Sequence, residues 1–159
     1  MSAKDKGIRT SHEIMEAAIK CVATIGMENT SLTEIGKIAG VNRSLVAYHF
    51  PKKDELFFQI TDYIINDLTK FLETNLEKPT NIDEISSLMI KYFSLNHNYL
   101  LTFVNFLYYC GLKYRYYGQL KELLFYFKSL APIADQPFDE KIDLLIGKLI
   151  RMSIEAKHK

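Results

Sequence analysis

SLTEIGKIAGVNRSLVAYHFPKKDEL, residues 31–56, decides the fold. It reads as two short helices joined by a tight turn and running into a third. Ser31 caps the first helix, and Glu34, three residues on, completes a capping box. Ile35, Ile38 and Ala39 succeed it at helical spacing on one face. Gly40 is placed to end that helix in the left-handed conformation, which glycine enters without steric cost. Val41 plugs the turn and Asn42 caps the next helix. Its inner face falls to Leu45 or Val46 and then to His49 or Phe50. Pro51 stops it and suits the first turn of the third helix.

This is a helix-turn-helix pattern, whose second helix enters a DNA major groove. Gly36 agrees with it, because a mid-helix glycine costs ~1 kcal/mol against alanine and close crossing of two helices supplies the reason. Charge agrees too: between Ile35 and Lys53 stand Lys37, Arg43, Lys52 and Lys53, with no carboxylate. On these residues alone, an αα-hairpin with a basic face is the competing reading.

From about Arg9 to Leu56 the chain resembles the DNA-binding domain of the TetR family of bacterial repressors. The resemblance is carried by Ile25-Gly26, Thr30-Ser31, Ile35-Gly36, Ala39-Gly40-Val41-Asn42, Tyr48-His49-Phe50 and Pro51-Lys52-Lys53-Asp54-Glu55-Leu56. Gly36 stands where the family has alanine, Asn42 where it has serine, and Ala47 where an aromatic is common. The resemblance implies base-reading side chains on the helix that starts at Asn42 and at the start of the preceding one. Arg43 is foremost, since a guanidinium pairs bidentately with guanine; Thr33, Ser44 and Ala47 come after it. It places Thr30, Ser31, Tyr48, His49 and Lys53 at or beside phosphates, Lys53 at a helix N-terminus that favours an anion. It also implies a homodimer through the last two helices on a palindromic double-stranded DNA operator. Half-sites would lie about one turn (~34 Å) or a multiple apart. A ligand that spreads the two recognition helices, acting through the helix expected over 53–76, would release the DNA.

The rest of the chain reads as helix. Residues 1–8 are a polar arm; Thr10 or Ser11 caps the first helix, Thr10 with Glu13 forming a capping box, and Ile14, Ala17, Ala18, Cys21, Val22 and Ile25 form a stripe that Gly26 ends. A long amphipathic helix over 53–76 carries Leu56, Ile60, Ile64, Leu68 and Leu72. A connector spans 78–81, and Asn81 or Asp83 starts the next helix, which breaks around 96–98. Residues 99–110 are apolar nearly all round and end at Gly111; 113–118 is a turn or loose piece. Helices over 119–130 and 138–156 flank a connector at 131–137. The expectation is an all-α protein of about eight helices. A three-helix DNA-binding domain occupies 1–55, and a helical ligand-binding and dimerisation domain 56–159.

Thirteen of the twenty Phe and Tyr residues lie within 92–127. They read either as core packing or as a cavity for a small apolar or aromatic effector, lined by Tyr92, Phe93, Tyr99, Phe103, Phe106, Tyr109 and Phe127. The resemblance implies an inducer pocket here, although this half is shorter than is usual for the family.

Other classes find little support. No run of eighteen apolar residues marks a membrane span, and the polar start lacks the apolar stretch of a secretory signal. A cytoplasmic protein is expected, with Cys21 and Cys110 as buried free thiols. A net charge of +1 excludes a bulk nucleic-acid coat but not a reader with its charge on one face. His12, His49, His97 and His158 show no metal-ligand spacing, and there is no phosphate-binding glycine loop or nucleophile elbow. No enzyme activity, metal or cofactor is expected. The alternative to a regulator is a helical protein-interaction or accessory dimerisation module with weak DNA binding and no ligand.

Overall fold

The computed structural model describes residues 3–76, 81–110, 114–131 and 138–157. Among these lie eight α-helices and no strand: α1 (Ala3–Asn29), α2 (Leu32–Ala39), α3 (Arg43–His49), α4 (Lys53–Asn75), α5 (Ile82–Leu95), α6 (His97–Cys110), α7 (Tyr114–Leu130) and α8 (Phe138–Lys157). The chain divides into two compact units, residues 1–63 and 64–159, so the division falls inside α4.

In the first unit α1 packs on α2 and α2 on α3. Ile14, Ala18 and Val22 of α1, Ile35 of α2, Val46 of α3 and Leu56 and Ile60 of α4 are fully buried. The polar arm expected over 1–8 is helical from residue 3, and Thr10 lies inside α1 rather than at its cap. Two causes are visible. Only Gly7 interrupts the early helix formers, at a cost of ~1 kcal/mol, and Glu13 is drawn into a 2.8 Å ion pair with Arg9. Gly26 interrupts α1 where the helix is expected to end: its backbone leaves helical geometry at φ 80, ψ 160, and a further short helical piece reaches Asn29. Ile25, beside that break, is exposed, while Met27 is buried.

In the second unit α5 packs on α6 and α8, and α6 on α7 and α8. Ile64, Leu68 and Leu72 of α4 recur every fourth residue and are buried. Asn81 caps α5 by accepting from the Glu84 amide at 2.9 Å. α6 starts at His97, two residues before the expected Tyr99, because the Asn96 carbonyl already accepts from the Leu100 amide at 3.0 Å. The loose piece expected over 113–118 is helical from residue 114. The connectors expected at 78–80 and 132–137 and the stop at Gly111 lie outside the described residues.

Candidate nucleic-acid interface

The turn between α2 and α3 is built from short-range contacts. Ser31 accepts the Glu34 amide at 3.2 Å and starts α2. The reciprocal half of the capping box is not made, because the Glu34 carboxylate turns to the Lys37 ammonium at 3.0 Å. Gly40 ends α2 at φ 71, a left-handed geometry that costs other L-residues about 1–2 kcal/mol. The Val41 amide returns to the Gly36 carbonyl at 2.9 Å. A Cβ at Gly36 would stand 2.7 Å from the Val41 carbonyl oxygen, so the turn folds onto α2 through a gap only glycine leaves. Asn42 caps α3, its side-chain oxygen accepting from the Leu45 amide at 2.8 Å.

Val46 and Phe50 anchor α3 in the core. Of the paired alternatives, these two take the inner positions, and Leu45 and His49 are half-buried. The opposite face then presents Arg43, Ser44 and Tyr48 to solvent, with Ala47 half-buried between them. Arg43 has no hydrogen bond or ion pair among the described residues. The Tyr48 ring is 80 % exposed and stands edge-on to His49, centroids 5.3 Å apart. Thr33 is exposed at the start of α2, and Asn42 at the start of α3. Ile38, expected on the inner face of α2, is 44 % exposed.

Three candidate residues are already engaged elsewhere. Thr30 is 1 % exposed, and its hydroxyl donates to the Gly26 carbonyl at 2.8 Å, so it belongs to the core at the α1 break rather than to a phosphate-facing surface. The Ser31 hydroxyl is taken up by the cap. Lys53 is half-buried; its ammonium donates to the Glu28 backbone carbonyl at 2.9 Å and lies 5.3 Å from the Phe57 ring centroid. Lys37 and Lys52, to which the sequence pattern assigns no DNA contact, are exposed. Their only sequence signal is the local excess of cations.

The aromatic belt is packed into itself. Tyr92 meets Phe71, Phe93 and Tyr99; Phe93 meets Phe103; Phe103 meets Phe106; and Tyr116 meets both Phe106 and Tyr109. An apolar cavity among α5, α6, α7 and α8 measures about 20 Å³. That is room for about one water, against several hundred Å³ for a small-molecule site. Of the seven aromatics expected to line a pocket, only Phe103 and Phe127 border it; leucine, isoleucine and Met89 supply the rest. A cleft of about 150 Å³ is lined by Ser94, His97, Leu100, Met152, Glu155 and Ala156, none of them from that aromatic set. Among the described residues no cluster of His, Cys, Asp or Glu could hold a metal ion, and no helix is long and apolar enough to cross a membrane.

Residues 14–60, which contain α2, α3 and the turn between them, match the family of bacterial regulatory proteins named tetR. The HTH-type transcriptional regulator AcrR of Shigella flexneri is 37 % identical over 57 residues, covering 36 % of this chain and 26 % of AcrR. The negative transcriptional regulator IcaR of the biofilm operon icaADBC of Staphylococcus epidermidis is 24 % identical over 93 residues, 58 % of this chain and 50 % of IcaR. The chain thus spans half or less of these curated relatives. A crystal structure of a transcriptional regulator from Rhodococcus sp. Rha1 superposes with a TM-score of 0.72 at 17 % identity, covering 94 % of this chain and 84 % of that one. That likeness is one of fold.

Proposed function

We infer that the chain is a regulator of the tetR kind, whose family model matches residues 14–60, and that it is a sequence-specific DNA-binding protein acting as a homodimeric, ligand-responsive repressor in the cytoplasm. One observation carries the reading. Val46 and Phe50 hold α3 to the core, so that Arg43, Ser44 and Tyr48 share its open face. A helix held in this way can enter a major groove, where Arg43 reads a guanine edge and Ser44 and Ala47 make lesser base contacts. Lys37, Lys52, Tyr48 and His49 lie around it as phosphate partners.

A three-helix reader spans only a short half-site, so two copies on a palindrome are the natural unit. The outer faces of α7 and α8 supply apolar surface for pairing: Phe125 is 76 % exposed, Leu144 59 % and Ile154 56 %. In this reading residues 1–55 bind DNA and residues 56–159 dimerise and respond to a small apolar or aromatic effector. Among Tyr92, Phe93, Phe103 and Phe106, whose rings pack on one another, such an effector would bind by displacing side chains. Repression is the sense favoured by IcaR, which is itself a negative regulator.

Gel shifts with the DNA flanking the protein's own gene test the reading. A discrete complex that survives excess unrelated DNA is expected. Retardation that competes away equally with any duplex would overturn it.

A further inference from the structure

We propose that the Tyr92 hydroxyl and the Asp67 carboxylate are a positioning pair for DNA reading: their hydrogen bond fixes α4 along its own axis, and operator affinity depends on it. The proposal rests on the DNA-binding reading and names the contact through which the regulatory half acts on it.

The phenol donates to Asp67 Oδ2 at 2.7 Å in a part-buried site, and Tyr92 itself is 3 % exposed. A hydrogen bond to a carboxylate is among the stronger kinds, and it is strict in distance and angle. An α-helix rises about 1.5 Å per residue, so an axial slip of α4 by even one residue would break this bond. Phe71, one turn beyond Asp67 on α4, packs on the same tyrosine with centroids 5.3 Å apart. α4 is therefore held at two successive turns by one side chain.

Tyr92 is itself fixed from behind. Asn96 donates to its backbone carbonyl at 2.8 Å, and the rings of Phe93 and Tyr99 stand 5.1 and 6.4 Å away. Phe93 in turn meets Phe103, which borders the apolar cavity together with Met89, one turn before Tyr92 on α5. Anything that swells that cavity therefore presses on the two helices that hold Tyr92. Residues 53–63 of α4 belong to the first compact unit and residues 64–75 to the second, so the helix that Tyr92 holds is the one that begins next to the recognition helix.

The test uses the full chain with Tyr92→Phe, Asp67→Ala, the double variant and Asp67→Asn, which keeps an acceptor. Operator and unrelated-duplex affinities are read by fluorescence anisotropy, well below each unfolding midpoint. Tyr92→Phe and Asp67→Ala should each weaken operator binding by about fivefold or more, the low end of allosteric couplings. Unrelated DNA should bind as before, the double variant should be no weaker than the singles, and Asp67→Asn should recover most of the loss. Tyr92→Phe keeps the ring and folds even where a change at Asp67 does not. Unchanged or tighter operator binding by Tyr92→Phe, or losses that multiply in the double variant, would overturn the proposal. If no specific DNA complex exists at all, the DNA-binding reading falls, and amide exchange over residues 64–75 judges the pair. Faster exchange in Tyr92→Phe then supports only the pair's hold on α4, the operator role having fallen with the reading, and unchanged exchange overturns that hold as well.

Discussion

The Lys53 ammonium donates to the Glu28 backbone carbonyl at 2.9 Å, joining the last turn of α1 to the first turn of α4. Carbonyls at a helix end lack an intrahelical partner, and a cation there satisfies one of them and complements the helix dipole. The same ammonium lies over Phe57. Its charge is thus engaged within the protein, whereas the family resemblance implies a place at or beside a phosphate. Lys53→Ala should lower folding stability by ~1–2 kcal/mol through these two contacts. It should flatten the salt dependence of DNA binding by well under the ~0.9 in slope that one neutralised phosphate contributes. Urea unfolding and a salt series on the same variant check both; a full unit lost from the slope with stability intact would return Lys53 to the DNA.

Gly36 has no room for a methyl group. Placing a Cβ 2.7 Å from a carbonyl oxygen forces the α2–α3 turn to open. Alanine is the better helix former by ~1 kcal/mol, but overpacking of this kind costs ~1–3 kcal/mol, and here the obstacle is backbone. Gly36→Ala should therefore be a net destabilisation, with DNA affinity reduced beyond what the unfolded fraction accounts for, because α3 is displaced. Chemical unfolding together with binding at low temperature separates the two effects.

These two cases mark how far local patterns in the chain reach. Ser31, Gly40 and Asn42 are legible because each acts on a neighbour within four residues, and the backbone geometry they impose is their own. The i+4 ladder from Leu56 to Leu72 is legible for the same reason. The Lys53–Glu28 contact joins residues 25 apart, and no local pattern announces it. Thr30 matches a family position, yet its amide and its hydroxyl both donate to the Gly26 carbonyl, at 3.2 and 2.8 Å, and hold the side chain in the core. The aromatic belt shows how many rings the regulatory half must house. Whether rings enclose a void or fill it depends on how they meet, and here Tyr92, Phe93, Phe103 and Phe106 meet each other.

Arg43 offers five donors on an exposed face with nothing among the described residues to hold them. Arg43→Ala should cost ~1–3 kcal/mol of operator affinity and relax the base preference at a single position. Arg43→Lys should restore the charge but not the bidentate pairing, so nonspecific binding recovers and base discrimination does not. Competition among operators that differ at one base pair measures this. Equal losses at every position would make Arg43 a phosphate contact.

Cys110 is buried, and burial pushes its thiol up from 9.0 to about 12. Its sulfur also donates to the Tyr116 carbonyl at 3.4 Å. The folded chain keeps this proton at a pH where the unfolded chain has lost it. The contribution to stability is thus complete below pH 9 and falls as pH rises from there towards 12, at up to ~1.4 kcal/mol per pH unit. Cys110→Ser should flatten that alkaline limb of the unfolding profile relative to the parent chain. Cys110 should also resist alkylation at pH 8 until denaturant is added; rapid labelling of the folded protein would contradict its burial.

Gly147 lies in mid-α8 on the face that carries Leu144 and Ile154, and a Cβ there meets nothing within 4 Å. Within one chain that glycine is only a cost, ~1 kcal/mol against alanine. A close crossing by the helix of a second copy would give it a reason, since small residues let two backbones approach. The two situations respond oppositely to one substitution. If α8 faces solvent, Gly147→Leu stabilises the chain or leaves it unchanged and does not alter its mass in solution. If α8 pairs with its twin, the added side chain has room in the monomer and none in the dimer, so the variant dissociates at concentrations where the parent stays paired. Leu144→Glu should dissociate it as well, by burying charge in the apolar seam. Sedimentation velocity across micromolar concentrations reads the outcome, and the dimer reading expects the parent to sediment as two chains and Gly147→Leu as one. Operator affinity should fall with dissociation, because each half-site is then bound alone, while the helical content of Gly147→Leu stays that of the parent.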